Sequence, residues 1–217
     1  MNDRTALAEK LVAIMRRMDE RGLNRGTSGN VSARVTGGML VSPSGVVPAV
    51  LTADQIVFVS DAGEWDPDGP RPSSEWRMHL GILAARPEAA AVVHCHSRHA
   101  TILACAGREI PALHYMVAVA GGDRVPLAPY ATFGTAELAD GIAATLKGYR
   151  ACLMANHGQI AIGRSLDEAL AIADEVEEQA AVYCGTLAIG GPVLLDAGEM
   201  ARIGLAFAAY GQKGQRG

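Results

Sequence analysis

The sequence predicts a layered α/β domain built around a mixed sheet, and three observations lead there. Short β-branched runs, several closed by glycine-containing turns, alternate with longer stretches whose apolar residues recur every three or four positions. No regular strand–helix–strand period links them, which disfavours a Rossmann sheet or a barrel. The 217 residues, 49% hydrophobic and 19% charged, suffice to bury a real core as one domain.

The first helix covers residues 5–22. Leu7, Leu11, Ile14, Met15 and Met18 line one face, Asp3 or Thr5 caps the start, and Gly22 ends it. After Gly26-Thr-Ser-Gly-Asn30 comes Val31-Ser-Ala-Arg-Val35, a short alternating strand. Gly37-Gly38 turns the chain into a return strand, Met39-Leu-Val41, and Ser42-Pro-Ser-Gly45 is a tight turn. Residues 56–59 form another strand, and Asp66-Pro-Asp-Gly-Pro-Arg-Pro72 is an exposed loop by composition. Ser73 and Ser74 cap a helix from Glu75 to about Ala85, with Trp76, Leu80 and Leu83 inward and Arg86-Pro87 as its stop. The run Ala89 to Val93 is a buried strand that leads into His94-Cys95-His96, and a helix restarts near Ser97. Residues 111–122 match no periodic template. Thr135 to Leu146 is a helix. Ala151 to Ala155 is a buried strand ending at Asn156-His157-Gly158, and Ile160 to Ile162 continues it or pairs with it. Ser165-Leu-Asp-Glu168 is a capping box that opens the longest helix, which runs to about Tyr183 or slightly beyond. Gly190-Gly-Pro192 breaks the chain. A last helix covers roughly Gly198 to Tyr210, followed by a frayed tail.

Composition excludes several classes of function. A net charge of −4 offers no electrostatic reason to expect nucleic acid. No apolar run reaches membrane-spanning length, and the N-terminus lacks a basic region followed by an apolar core, so a soluble, cytoplasmic protein is expected. The four cysteines, Cys95, Cys105, Cys152 and Cys184, form no C-x-x-C pair. They sit in apolar surroundings and read as reduced core residues.

The chemistry-bearing residues concentrate at strand ends and turns. Successive side chains of a strand point to opposite faces, so if the strand persists through His96, His94 and His96 share one face and Cys95 faces away. Two adjacent imidazoles are half of a metal site, since catalytic zinc takes three protein ligands and keeps one position open. His157 is the candidate third, followed by Gly158, which permits close approach. Spacing alone does not bring His157 to the pair, and an H-x-H among six histidines also reads as ordinary packing. Glu75, at a helix N-terminus, is a candidate base or simply a residue favoured there by the helix dipole. Thr27-Ser28-Gly29-Asn30, Ser42-Pro43-Ser44-Gly45 and Ser73-Ser74 are candidate anion-binding clusters that need no lysine, or plain turns and caps. Tyr115 and Tyr210 could each be packing residues. His99 and His114 read as structural, and His79 as lying on a helix surface.

Taken together, these segments resemble the class II aldolase/adducin family. The resemblance rests on Gly26-Thr-Ser-Gly-Asn-Val-Ser32, Val41-Ser-Pro-Ser-Gly45, Pro72-Ser-Ser-Glu75, Val93-His-Cys-His96 and Ile110-Pro-Ala-Leu-His-Tyr115. It continues through Ala128-Pro-Tyr-Ala-Thr-Phe-Gly134, Asn156-His-Gly158 and Phe207-Ala-Ala-Tyr-Gly211. It spans nearly the whole chain. It implies a three-layer α/β/α domain over residues 1–217, with a central mixed, largely antiparallel sheet and a flexible tail from 211. It also implies a homotetramer with active sites at subunit interfaces.

By position, the resemblance implies His94, His96 and His157 as zinc ligands and Glu75 as an acid/base that also ligates the metal before substrate arrives. Mn²⁺ or Co²⁺ would suit the same ligands. Ser28, Gly29, Asn30, Ser44, Gly45, Ser73 and Ser74 would cradle a phosphate. Tyr115 would handle the aldehyde oxygen from a neighbouring subunit, with Tyr210 as an auxiliary tyrosine. The implied reaction is reversible cleavage of a ketose 1-phosphate, such as L-fuculose 1-phosphate, through a metal-bound enediolate. Its products are dihydroxyacetone phosphate and an aldehyde such as L-lactaldehyde. Substrates with a 5-deoxyribulose or 5-methylthioribulose 1-phosphate skeleton are the alternatives. A pentulose-phosphate 4-epimerase or dehydratase of the same fold is a further rival, although the loop after Pro111 lacks the carboxylate that the epimerases carry. A non-catalytic adducin-head-like module would be expected to have lost the histidines, which are all present. One departure stands out: Asn156 replaces a histidine common in the family, although only the second histidine of that pair is a ligand.

Overall fold

The computed structural model describes residues 3–209. Its centre is a seven-stranded sheet in the order β3-β2-β1-β4-β7-β6-β5. The strands are β1 (Asn30–Val35), β2 (Gly38–Val41), β3 (Val57–Ser60), β4 (Ala91–Cys95), β5 (Leu127–Ala128), β6 (Ala151–Met154) and β7 (Gly158–Gly163). Every pairing is antiparallel except β5 with β6, so the sheet is mixed and largely antiparallel, as expected. Two tight hairpins account for much of this. β1 turns into β2 at Gly37 (φ +80°), and β6 turns into β7 through Asn156-His157, so residues 160–162 pair with the preceding strand instead of continuing it.

Helices cover both faces: α1 (Asp3–Glu20), α2 (Trp76–Ala85), α3 (Arg98–Cys105), α4 (Ala136–Thr145), α5 (Leu166–Ala188) and α6 (Ala197–Ala209). Strand alternation assigns each residue of β4 to one layer. Ala91, Val93 and Cys95 join the core shared with α1, α3 and α5, which includes Leu11, Leu103 and Leu170. Val92 joins the opposite core, with Met78 and Ile82 of α2 and Leu138 and Ile142 of α4. Each such fully buried side chain contributes about 1.5–3 kcal/mol, an upper figure because unfolded chains already bury some surface. His94 lies on the Val92 side and therefore emerges toward α2.

The longest helix opens as the capping-box pattern suggests, with one change. Ser165 Oγ accepts the Glu168 N–H at 3.2 Å, but the Glu168 carboxylate takes the Arg164 N–H at 2.6 Å and the Arg150 guanidinium at 3.0 Å. A charged guanidinium is a stronger partner than a peptide N–H alone, so the carboxylate leans toward it. Residues 115–120 form a 3₁₀ run that Gly121 ends at φ +93°.

Two expectations need correction, and one strand was not anticipated. His79 lies in the core, 0% exposed, because Met78, His79, Ile82 and Leu83 make the buried face of α2 while Trp76 and Leu80 flank it. Cys105 is exposed at the end of α3, so only Cys95 and Cys152 are buried core thiols. The two-residue β5 follows Pro126 directly and is too short to leave a periodic pattern. Among the described residues no helix is long and apolar enough to cross a membrane.

Candidate active site

The histidines come together because β4 and β7 are neighbours. His94 sits near the end of β4, and its backbone pairs with Ile160. His157 occupies the β6–β7 turn, after Asn156 at φ +55°. Asparagine is among the few non-glycine residues that adopt this left-handed conformation readily. Gly158 then passes close under the end of β4. A Cβ there would lie 2.5 Å from the Cys95 carbonyl oxygen and 3.2 Å from His96 Cδ2. We expect Gly158→Ala to push the strands apart at the histidines, costing about 1–3 kcal/mol of stability and weakening metal retention. Thermal melts and metal titration of the variant will measure both.

Glu75 reaches the same point from the start of α2. Its Oε2 is 3.2 Å from His94 Nε2, and its Oε1 is 3.3 Å from His157 Nε2. His94 Nε2 and His96 Nε2 are 3.0 Å apart. One ligand atom from each of the four residues lies within 4.8 Å of all the others. His94 Nδ1 donates to the Gln159 carbonyl at 2.8 Å, which turns the lone pair of Nε2 into the cluster. Among the described residues Glu75 Oε1 is buried with no hydrogen-bond partner. Four electron-pair donors therefore face one another with nothing supplied by the chain to separate them. Ligands about 2.0 Å from a tetrahedral zinc ion lie roughly 3.3 Å from each other. The donor types and spacings thus fit a zinc-sized divalent cation.

The electrostatics agree with that fit. Burial alone would raise the Glu75 carboxyl, but His94, with His157 and the Asn30 amide, holds it far below the ordinary carboxylate range. Burial lowers His94 while Glu75 raises it, and the raising wins when no cation is present. Burial, with the charge of His94 beside it, pushes His96 and His157 down to about 4. Both are then neutral at pH 7, the form that binds metal. Burial pushes the Cys95 thiol up to about 12, and its side chain lies in the opposite core, so no thiolate enters the cluster.

The cluster forms the floor of a cavity of about 350 Å³. Ser28, Gly29, Asn30, Ser44, Gly45, Ser73 and Ser74 all line it, beside Glu75, His96 and His157. Among the described residues no lysine or arginine does. Gly29 (φ +74°) is packed tightly, since a Cβ there would overlap the Asn24 amide, whose Oδ1 accepts the His96 N–H at 3.3 Å. The serine-glycine turn is thereby tied to the histidine strand. Asn30 turns its amide into the interior, donating to Glu75 Oε2 at 3.0 Å and contacting His79. Thr27 and Pro43 of the two turn clusters and Asn156 also line the cavity, as do Tyr130, Ala131 and Phe133, to which the sequence assigns no individual role. Tyr130 and Phe133 stand 62% and 65% exposed at its rim. In a chain with only 5% aromatics, two rings within four residues were the signal that could have found them.

Tyr115 does not join the cavity of its own chain. It is half-exposed and stacks near Phe207, with ring centroids 6.3 Å apart. Tyr210 lies outside the described residues. His99 binds Glu177, which also accepts the His99 and Ala100 N–H groups and so caps α3, and His114 Nδ1 accepts the Met116 N–H. A larger recess of about 670 Å³ beside α6 contains none of these histidines. Its two arginines, Arg150 and Arg164, are both paired with Glu168.

Comparison with known proteins places the chain among relatives. Residues 9–184 match the family described as Class II Aldolase and Adducin N-terminal domain. The 5-methylthioribulose-1-phosphate/5-deoxyribulose-1-phosphate aldolase of Rhodospirillum rubrum is 50% identical over 213 residues, covering 98% of this chain and 96% of that protein. The L-fuculose phosphate aldolase of Escherichia coli O6:H1 is 45% identical, covering 96% and 97%. A solved L-fuculose 1-phosphate aldolase superposes with a TM-score of 0.89 at 38% identity, covering 93% of this chain and 95% of that one.

Proposed function

The chain belongs to the class II aldolase and adducin family, and from that premise we propose that it cleaves a 5-deoxy- or 5-methylthio-pentulose 1-phosphate between C3 and C4. The products are dihydroxyacetone phosphate and acetaldehyde or (methylthio)acetaldehyde. The single observation that carries the aldolase chemistry is the convergence of Glu75 with three imidazoles under a hydroxyl-lined cavity.

His94, His96 and His157 would hold a divalent cation, with Glu75 as a further ligand in the absence of substrate; we read the ion as zinc, with manganese or cobalt also suited to these donors. Such a cation supplies Lewis acidity to the ketose carbonyl. The chain's own groups do the remainder. Ser28, Gly29, Ser44, Gly45, Ser73 and Ser74 bind the phosphate through hydroxyls and turn N–H groups, with Asn30 lining the same cavity while its amide holds Glu75, and this remote binding orients the reacting carbons. Glu75 delivers a proton to C3 of the three-carbon fragment once the C3–C4 bond has broken. In the condensation direction it removes that proton. Its low pKa keeps it an anion at pH 7, ready for the latter role. Tyr115 exchanges a proton with the aldehyde oxygen. Because it stands away from the cavity of its own chain, it would do so from a neighbouring copy, in a homotetramer with sites at subunit interfaces. Tyr210 would assist there. We read residues 1–217 as one domain and place the protein in the cytoplasm, where phosphorylated sugars and free thiols persist.

The apolar rim of Tyr130 and Phe133 favours these substrates over L-fuculose 1-phosphate, because a methyl or methylthio tail loses less by desolvation there than a hydroxylated one. Condensation of dihydroxyacetone phosphate with a panel of aldehydes tests this. We expect kcat/KM for acetaldehyde and (methylthio)acetaldehyde to exceed that for L-lactaldehyde by about tenfold, the scale of one unmatched polar group. A preference for L-lactaldehyde would reverse the assignment.

A further inference from the structure

We propose that His79 is a positioning residue: its Nε2–H, donated to Asn30 Oδ1, locks the Asn30 amide in the one orientation that donates to Glu75 and so holds that carboxylate in place for proton transfer. The inference deepens the role given to Glu75 and rests on it.

The buried chain Ser32–His79–Asn30–Glu75 has only one consistent assignment of its hydrogens. Asn30 lies 3.0 Å from Glu75 Oε2, and an ionised carboxylate only accepts, so the Asn30 NH₂ must face it. Asn30 Oδ1 then faces His79 Nε2 at 2.5 Å and needs a donor there, so Nε2 carries the proton. In a neutral imidazole the other nitrogen is an acceptor. His79 Nδ1 therefore accepts the Ser32 hydroxyl hydrogen across 2.7 Å. Donation runs one way, from Ser32 through His79 and Asn30 to the carboxylate.

The four groups are between 0% and 6% exposed, so no bulk water stands ready to substitute for a lost partner. Reversing the Asn30 amide would point Oδ1 at a carboxylate and NH₂ at a protonated Nε2, two repulsions at once. The amide and the tautomer are thus locked together. An imidazole buried four residues after Glu75 on α2 has no packing advantage over Leu or Met there, and burying a polar ring costs free energy unless both nitrogens are satisfied. This network satisfies both, and its far end is the acid/base.

Two variants separate positioning from packing. In His79→Gln, the amide N–H reaches where Nε2–H stood, so the donor to Asn30 survives. In His79→Asn, Oδ1 still accepts from Ser32, but no donor reaches Asn30. Each variant loses one buried hydrogen bond. The readout is solvent deuterium exchange into dihydroxyacetone phosphate, which isolates the Glu75 step from the aldehyde, with bound metal and melting temperature measured alongside. We expect His79→Asn to slow exchange and kcat by about 10- to 100-fold with KM little changed, and His79→Gln to restore most of the rate. Equal rates in both variants, whether high or low, would overturn the proposal. On wild-type protein, ¹⁵N-histidine NMR should report the Nε2–H tautomer at His79, and the Nδ1–H tautomer would overturn it without any variant. Absence of exchange in the wild type itself would remove the role of Glu75, and this proposal with it.

Discussion

Glu75→Gln should lower the turnover of aldol cleavage by about 10³-fold, within the range that positioned general acid–base groups contribute, while the protein keeps its metal. Glutamine has nearly the same volume, so the buried site needs no repacking. Its carbonyl oxygen can still accept from Asn30, and the three imidazoles are untouched. Removing the carboxylate also removes the main influence that raises His94, which favours its neutral, ligating form. What is lost is the group that takes a proton from carbon. Steady-state kinetics with metal analysis of the same preparation will decide the matter: undiminished turnover in a metal-loaded variant would sink the assignment, as would an inactive variant that had lost its metal.

Removal of the metal should have an effect at least as large. We expect exhaustive chelation to abolish cleavage and added Zn²⁺ to restore it, with Mn²⁺ and Co²⁺ as graded substitutes. The metal-free protein should also melt at lower temperature, because a ligand that binds only the folded state stabilises it by mass action. The site supplies the reason. Among the described residues a buried carboxylate oxygen has no hydrogen-bond partner and two imidazole nitrogens stand 3.0 Å apart, an arrangement that a bound cation would stabilise. A fully active metal-free preparation would rule out the proposed chemistry.

Much of this was legible in the amino-acid order because the determining forces are local. Alternation in residues 91–95 puts His94 and Cys95 on opposite faces, and the structure sends Cys95 into the α1/α3/α5 core and His94 toward α2. The glycine turns, the Ser165 cap and the helical periodicities likewise depend on neighbours within a few residues, so the elements could be assigned before any tertiary contact was known. The motif set across the chain named the family and with it the aldolase chemistry.

What the order of residues could not decide depends on contacts between distant segments. His157 joins His94 only because β7 pairs with β4 and Gly158 lets the strands close, and no spacing rule spans the 63 positions between them. His79 read as a surface histidine because a single polar residue on α2 looks solvated, and its burial follows from Asn30 and Ser32 on β1, 49 and 47 positions away. Tyr130 and Phe133 carried no role of their own until the fold placed them at the rim of the cavity. Local sequence determined most of the elements, the opposite faces of His94 and Cys95, and the family. Tertiary packing alone decided which polar groups meet out of water, and buried partners so far apart in the chain leave no local pattern from which their meeting can be read.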